Sequence, residues 1–419
     1  MITENVDVLV IGAGPSGCVS ASYLKNNNID VKIVEKSKFP RYVIGESLLP
    51  RCMDHFEEVG LLEGLNNQNF EKKYGARFMK KEKVCNFDFS KKYTDGWDWT
   101  WQIPRDDFDL ILATETQKKG VPIDFENEVI DISFDGSNSN TTIKDKDGVI
   151  KMIHSKFVID SSGYGRVLPR LLNLDIPSKL PDHSSIFSQV KEQHRPEGKE
   201  GTLITFDVLQ KNVWLWVIPF SNGNTSIGFV GPTDFINSFK GTPSEVLSEM
   251  LKLSDYYYDR FKDEVFLFEP KVIQNFSKSI KQLHGKGYAL TGNSTEFLDP
   301  IFSSGVTFAT ESGLLAAKLA LREIKNEKVD WDTEYTAYIG KGVDVFSTYV
   351  NEWYKGNLQK LFFHQPENPE IKKQICSVLA GYVWDETNPF VKKHDRVITS
   401  MAHLIDLEIA QQQKAAKPN

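Results

Sequence analysis

Val6-Asp7-Val8-Leu9-Val10-Ile11-Gly12-Ala13-Gly14-Pro15-Ser16-Gly17, read on to Val31-Lys32-Ile33-Val34-Glu35, decides the fold. The apolar run from Asp7 to Ile11 predicts a buried strand, Pro15 to Asn26 a helix, and Asp30 to Glu35 a second strand, which together make a βαβ unit. The six residues from Gly12 fit G-x-G-x-x-G at the junction of strand and helix. Gly12 allows the tight turn, Gly14 lets the backbone approach a pyrophosphate, and Gly17 permits close packing of helix on sheet. Pro15 suits a first helical turn, where its missing N–H leaves nothing unbonded, and the free amides there, with Ser16 among them, suit an anion. Glu35 ends the second strand at the distance of an acid that binds ribose hydroxyls, with Lys36 directly after it. Strand, helix, glycines and terminal acid together imply dinucleotide binding.

Outward from this unit, a helix is predicted from Arg105 to Lys119, ended by Gly120, followed by strands at Ile123 to Ile132, Thr141 to Lys144 and Phe157 to Ile159. From about Ser184 to Phe268 the pattern turns to alternating aromatic strands, at Gly201 to Asp207, Val213 to Pro219 and Thr225 to Val230. The last two are joined by the hairpin residues Ser221-Asn222-Gly223-Asn224. Gly287 to Thr291 reads as a buried strand, and Val306 to Ile324 as a helix whose Ala309, Gly313, Ala316, Ala317 and Ala320 permit close packing. Beyond Asp330 the chain reads as helical, with a frayed tail from Gln411 to Asn419. The expected fold is α/β: a Rossmann-like dinucleotide domain over 1–75, 100–183 and 285–329, an inserted antiparallel β-sheet substrate domain over 76–99 and 184–284, and a helical region over 330–419.

The 419 residues are enough for two or three subdomains, and the net charge of −7 leaves no basic surplus for a nucleic-acid partner. Cys18, Cys52, Cys85 and Cys376 form no C-x-x-C pair and the histidines no i, i+4 pair, so neither a zinc site nor a disulfide framework is expected. Met1 to Asn5 has no basic run of the signal-peptide kind, and no apolar stretch approaches the roughly 20 residues of a membrane span. The expected location is cytoplasmic.

Three further patches resemble the group A flavoprotein superfamily of aromatic hydroxylases, geranylgeranyl reductases and flavin-dependent halogenases, whose fold is of the glutathione-reductase-2 (GR2) type. They are Phe39-Pro40-Arg41 with Gly45-Glu46-Ser47, Gln102-Ile103-Pro104-Arg105-Asp106-Asp107-Phe108-Asp109, and Asp160-Ser161-Ser162-Gly163. A fourth, Gly292-Asn293-Ser294-Thr295-Glu296-Phe297-Leu298-Asp299-Pro300, resembles the loop that holds the ribityl chain, with Asn293 where most relatives have Asp. The resemblance implies FAD, held by Gly12, Gly14, Pro15, Ser16, Gly17, Glu35, Lys36, Arg41, Glu46, Ser47, Arg105, Val129, Asp160, Gly163, Gly292, Asn293, Pro300, Ser304, Gly305 and Val306. An exposed-charge reading of Arg41 and Arg105 stays open.

Three segments resemble halogenases in particular. Lys72-Lys73-Tyr74-Gly75 matches the K-x-G lysine of phenolic and pyrrolic halogenases, which makes Lys73 the implied catalytic residue. Glu71, Lys72 and Lys73 also read as a solvent-facing polar cluster. Trp214-Leu215-Trp216-Val217-Ile218-Pro219 matches W-x-W-x-I-P, and strand periodicity puts Trp214, Trp216 and Ile218 on one face, where they would pass a small oxidant and bar the substrate from the flavin. The same letters recur at Trp99-Thr100-Trp101-Gln102-Ile103-Pro104. Phe302-Ser303-Ser304-Gly305-Val306 completes a halogenase-like loop in which Ser304 and Gly305 are implied halide contacts, although the loop can equally serve the flavin ring alone.

If the resemblance extends to activity, reduced FAD, oxygen and chloride or bromide yield hypohalous acid, which passes to Lys73 and halogenates an electron-rich aromatic substrate, free or carrier-tethered. Reduced flavin would come from a separate reductase, since the chain has no second nucleotide fingerprint. A geranylgeranyl-reductase-type dehydrogenase acting on an apolar or polyene substrate, an aromatic monooxygenase and a non-catalytic flavin binder are the alternatives.

Overall fold

A computed structural model describes residues 2–177, 183–274, 279–295, 299–364 and 369–415, and they fall into two compact units. The first comprises 1–70, 103–179 and 277–340, the second 71–102, 180–276 and 341–419.

In the first unit, strand Ile2–Ile11 pairs in parallel with Val31–Glu35 on one side and Ile150–Asp160 on the other. Ile123–Phe125 and Tyr288–Leu290 extend the parallel core outward. The strand order thus reverses at Ile2–Ile11, and the end of that strand is the switch point where open α/β sheets bind ligands. Helix Pro15–Asn26 makes the crossover. Its Ser20 Oγ donates to Ser16 O at 2.8 Å and to Gly313 O at 2.9 Å, so it lies against helix Gly305–Ile324 where both are small. A Cβ at Gly313 would stand 2.6 Å from Ser16 Oγ, which accounts for the small-residue face of that helix.

The strand expected from Ile123 to Ile132 divides into Ile123–Phe125 and Asn127–Asp135, because Glu126 between them takes a left-handed φ of 58°. Asn127–Asp135 then runs antiparallel to Asn138–Asp145, which pairs with Ile150–Asp160.

In the second unit a seven-stranded sheet runs in the order Lys271–Ile273, His183–Lys191, Asn224–Pro232, Val213–Pro219, Thr205–Gln210, Gly75–Lys80, Lys83–Asp88. It is antiparallel except between Thr205–Gln210 and Gly75–Lys80, which are parallel. The expected strand from Gly201 begins later, because Gly201 belongs to the short helix Lys199–Thr202, where a Cβ would meet Pro196 O at 1.8 Å. The expected hairpin is present: Gly223 has φ 85° and Phe220 N donates to Asn224 O at 2.8 Å.

Helices cover both faces of this sheet. Leu215, Val217, Ile227 and Phe229 pack with Leu247, Met250, Tyr257 and Phe261. On the other face Phe78 stacks on Phe206 at 4.8 Å and meets Trp353 and Phe362 of the C-terminal helices. Both helical aromatics are buried in the core. The last helix, His394–Ala415, is intact through Gln411 to Ala415, where fraying was expected; the remainder of that tail lies outside the described residues.

Candidate functional site

Gly12 has φ 101°, a conformation that favours glycine, and a Cβ there would meet Ser161 O at 2.6 Å. A Cβ at Gly17 would meet Gly12 O at 1.9 Å. The fingerprint is therefore enforced by backbone packing. The buried Glu35 accepts from Ala13 N at 2.9 Å and from Ser37 N at 2.8 Å, which ties the turn to the second strand. Beside Gly14 the backbone is open, since an added Cβ would be 3.8 Å from Arg41 Nη2 and near nothing else. The N-cap has no side-chain partner, so the first-turn amides of Pro15–Asn26 and a guanidinium converge where a pyrophosphate would lie.

Arg41 lies 4.5 Å over Phe39 and 3.1 Å from Asp109 Oδ2. Arg105 is buried, donating to both Asp109 oxygens at 2.9 and 3.0 Å and to Ile44 O at 2.8 Å. Burial opposes its charge, but Asp109 overrides this and raises the guanidinium pKa. Neither arginine is an idle surface charge. Gly45, with φ 108°, presses on Arg105 Nη1, where a Cβ would come within 2.7 Å, and faces Val306 at 3.8 Å. Buried Glu46 accepts from Tyr42 and through its backbone from Ile103 N at 2.8 Å; Ser47 beside it is buried too. Arg105 therefore fixes the 41–47 segment, and Asp109, one helical turn on, fixes both arginines. Asp109 lay within the quoted motif but was not singled out; its i, i+4 spacing from Arg105 was the available signal.

Asp160 is wholly buried and accepts from Ser162 N at 2.9 Å and Leu168 N at 2.7 Å. Burial raises its pKa in spite of these bonds. Gly163 has φ 57° and open space around it. Ser16, Ser161 and Thr291 join their hydroxyls, Ser16 to Thr291 at 2.7 Å and Ser161 to Thr291 at 2.8 Å, so the two glycine motifs and the third sheet segment meet at one point. Thr291 carried no sequence signal. Gly292 is left-handed at φ 55° and its N donates to Ser312 Oγ at 2.9 Å, while Asn293 O lies 3.3 Å from Arg166 Nη1.

Glu296, Phe297 and Leu298 lie outside the described residues. Pro300 opens a short turn capped by Asp299, and Ser303 is left-handed at φ 56°. Ser304 is then the buried N-cap of Gly305–Ile324, while Gly305 is exposed with nothing near an added Cβ. Lys36 points elsewhere, toward Glu128 at 2.8 Å, and the Val129 side chain is in the core, so only its backbone is available to a ligand.

In the second unit Lys73 is 1 % exposed, with its ammonium 5.6 Å over the Phe89 ring. The solvent-facing reading of Glu71, Lys72 and Lys73 holds for Lys72, which is exposed and 4.5 Å over Trp99, and fails for Lys73. Alternation along the strand Glu71–Lys73 separates the two. Trp214 and Trp216 share one face with ring centroids 6.1 Å apart, and their Nε1 atoms donate to Tyr354 OH at 3.0 Å and Ser226 Oγ at 3.1 Å. Gly228 makes room for Trp216, since a Cβ there would stand 2.4 Å from the indole. The two W-x-W-x-I-P copies are physically joined: Gln102 Nε2 donates to Pro219 O at 2.5 Å.

A cavity of about 410 Å³ lined by Gln282, His284, Lys286, Glu323 and Trp331 contains none of these residues. All four cysteines are buried and free, with the Cys18 thiol pushed up to about 12 by burial.

Residues 5–226 match the FAD binding domain family model. Over 411 residues the chain is 27% identical to a 1H-pyrrole-2-carbonyl-[peptidyl-carrier protein] chlorinase of Pseudomonas fluorescens, spanning 92% of this chain and 91% of that one. Over 394 residues it is 26% identical to the corresponding brominase of Pseudoalteromonas luteoviolacea, spanning 91% and 93%. A crystal structure of a flavoprotein/dehydrogenase from Cytophaga hutchinsonii is 49% identical with TM-score 0.95, covering 97% of this chain and all of that one. A flavin-dependent brominase structure shares the fold at TM-score 0.83 and 24% identity, over 96% of this chain and 100% of that one.

Proposed function

The chain belongs to the FAD-binding domain family and is an FAD-dependent oxidoreductase related to flavin-dependent halogenases, and from that premise we propose that it halogenates an electron-rich aromatic substrate. The observation that carries this reading is the burial of Lys73, 1 % exposed beside Phe89, at the position of the K-x-G lysine. Lysines are seldom fully buried, so the burial of Lys73 sets it apart from a solvating surface charge. FAD would be held by the Gly12 to Gly17 turn, Glu35, Arg41, Glu46, Ser47, Gly163, Asn293 and the start of Gly305–Ile324. When bound it supplies the two electrons with which oxygen and a halide ion become hypohalous acid and water. The backbone amides at Ser304 and Gly305, at a helix N-terminus, suit the halide.

Lys73 holds the oxidant by hydrogen bonding and aims its halogen at the substrate ring. A ring C–H is replaced by C–halogen as the halogen–oxygen bond breaks, and the released proton and hydroxide leave as water. Burial keeps the oxidant from side reactions with solvent. A separate flavin reductase supplies reduced FAD. The two carrier-protein relatives favour a pyrrole delivered on a carrier over a free one.

The test supplies reduced FAD, oxygen and bromide with phenols, free pyrroles and a carrier-tethered pyrrolyl group. Product carrying the bromine isotope doublet, absent when bromide is omitted, is expected. Halide-independent reduction or dehydrogenation of substrate would overturn halogenation in favour of a dehydrogenase, the activity in the description of the 49% identical structure.

A further inference from the structure

The two-stranded ribbon that carries Lys73 pairs Glu71–Lys73 with Thr100–Gln102, antiparallel, with Lys73 opposite Thr100 and Glu71 opposite Gln102. Directly opposed residues share a face and alternate ones repeat it. Lys73, Thr100 and Gln102 are therefore on one face, with Lys72 and Trp101 on the other.

Thr100 and Gln102 are both wholly buried, and among the described residues Thr100 Oγ1 and Gln102 Oε1 have no hydrogen-bond partner. Such atoms are rare in native interiors and each one calls for an explanation, of which a bound group is one. The orientation of Gln102 is set by its amide nitrogen, which donates to Thr202 O at 3.0 Å and Pro219 O at 2.5 Å. Both partners are carbonyls, so the side chain cannot be turned over, and Oε1 is an acceptor held in place with nothing to accept. Phe89, buried with its ring 5.6 Å from Lys73 Nζ, supplies an apolar surface beside the lysine.

We propose that Thr100 and Gln102 bind the substrate itself, and that they select aromatic rings bearing an O–H or N–H donor, such as phenols and pyrroles, over the same rings without one. The proposal rests on the assignment of Lys73 as the halogenating lysine. The ring's donor hydrogen-bonds to Gln102 Oε1, and Thr100 Oγ1, able to donate or accept, completes the contact. Donation from the ring's O–H or N–H pushes electron density into the ring, which favours attack by an electrophilic halogen at Lys73. A site built around a donor rejects the analogue that lacks it, because its own polar groups are then left buried and unpaired.

The experiment measures binding of phenol and anisole, and of pyrrole and N-methylpyrrole, to the FAD-loaded protein by calorimetry without halide, and then kcat and KM for bromination of each pair. The parent is expected to prefer the donor-bearing member by about tenfold or more in both measurements. Thr100→Val and Gln102→Met should lose most of that preference, mainly through KM, and Thr100→Ser should keep it. Melting temperature and FAD content identify any variant that fails to fold, and the Thr100→Val and Thr100→Ser pair carries the test if Gln102→Met does. A parent without preference, or a folded Thr100→Val that discriminates as the parent does, overturns the proposal. Bromination of both members alike would sink this inference and leave halogenation standing. Selective binding with no halogenation of any substrate would do the reverse.

Discussion

Lys73 shows what a single residue's surroundings can decide. Among three charged neighbours, strand alternation exposes Lys72 and buries Lys73. The sequence made Lys73 a candidate through its resemblance to the K-x-G lysine but left its burial open, because Glu71-Lys72-Lys73 is equally the pattern of a solvated edge; only the pairing with Thr100–Gln102 resolves it. The glycines were more legible. Gly12→Ala forces a Cβ into Ser161 O at a left-handed backbone position, and it should lower stability by about 1–3 kcal/mol and weaken FAD binding, as read by denaturant melts and FAD retention on gel filtration. Unchanged FAD content and stability would contradict this. Gly228→Ala places a Cβ 2.4 Å from the Trp216 ring and 2.5 Å from Phe187 Cβ, and should cost about 1–3 kcal/mol while altering indole fluorescence. A melt and spectrum identical to the parent's would count against that packing.

Helix Arg51–Glu58 is tied to Gly305–Ile324 by Glu311, which accepts from Arg51 Nε at 2.9 Å and Tyr338 OH at 2.9 Å and meets His55 Nε2 at 2.8 Å. Burial raises its pKa, but His55 and Arg51 outweigh burial and lower it to about 2. A carboxylate whose folded pKa lies below its unfolded value, about 4.3, stabilises the fold above the latter and loses that contribution as pH falls through the former. Acid titration of stability should therefore show a loss of about 3 kcal/mol between roughly pH 4.5 and 2, and Glu311→Gln should abolish that part of it. An unchanged acid slope in the variant would contradict the assignment. None of this network was foreseen, since Arg51 and His55 lie 260 and 256 residues from Glu311 and no local pattern links them. The βαβ unit, the hairpin at Gly223 and the small-residue face of Gly305–Ile324 were legible because each is set by local geometry. The parallel pairing of Thr205–Gln210 with Gly75–Lys80 was not, as it joins strands far apart in the chain.

At the scale of the whole molecule, the glycine turn, the paired arginines and the open helix N-terminus belong to one unit, and Lys73, Thr100, Gln102 and the Trp214 strand to the other. FAD should bind the first and add about 2.7 kcal/mol of stability when present at 100 times its dissociation constant, visible as a raised melting temperature; no shift at saturation would argue against the cradle described. The chemistry at Lys73 should be separable from FAD binding for the same reason. The decisive measurement compares the parent and Lys73→Ala, each loaded with reduced FAD and given oxygen, bromide and a phenol or pyrrole, for oxygen consumed and brominated product formed. Lys73→Ala should consume oxygen within about twofold of the parent, yet form at least about a hundredfold less brominated product. Brominated product at the parent's level in the variant would contradict the account.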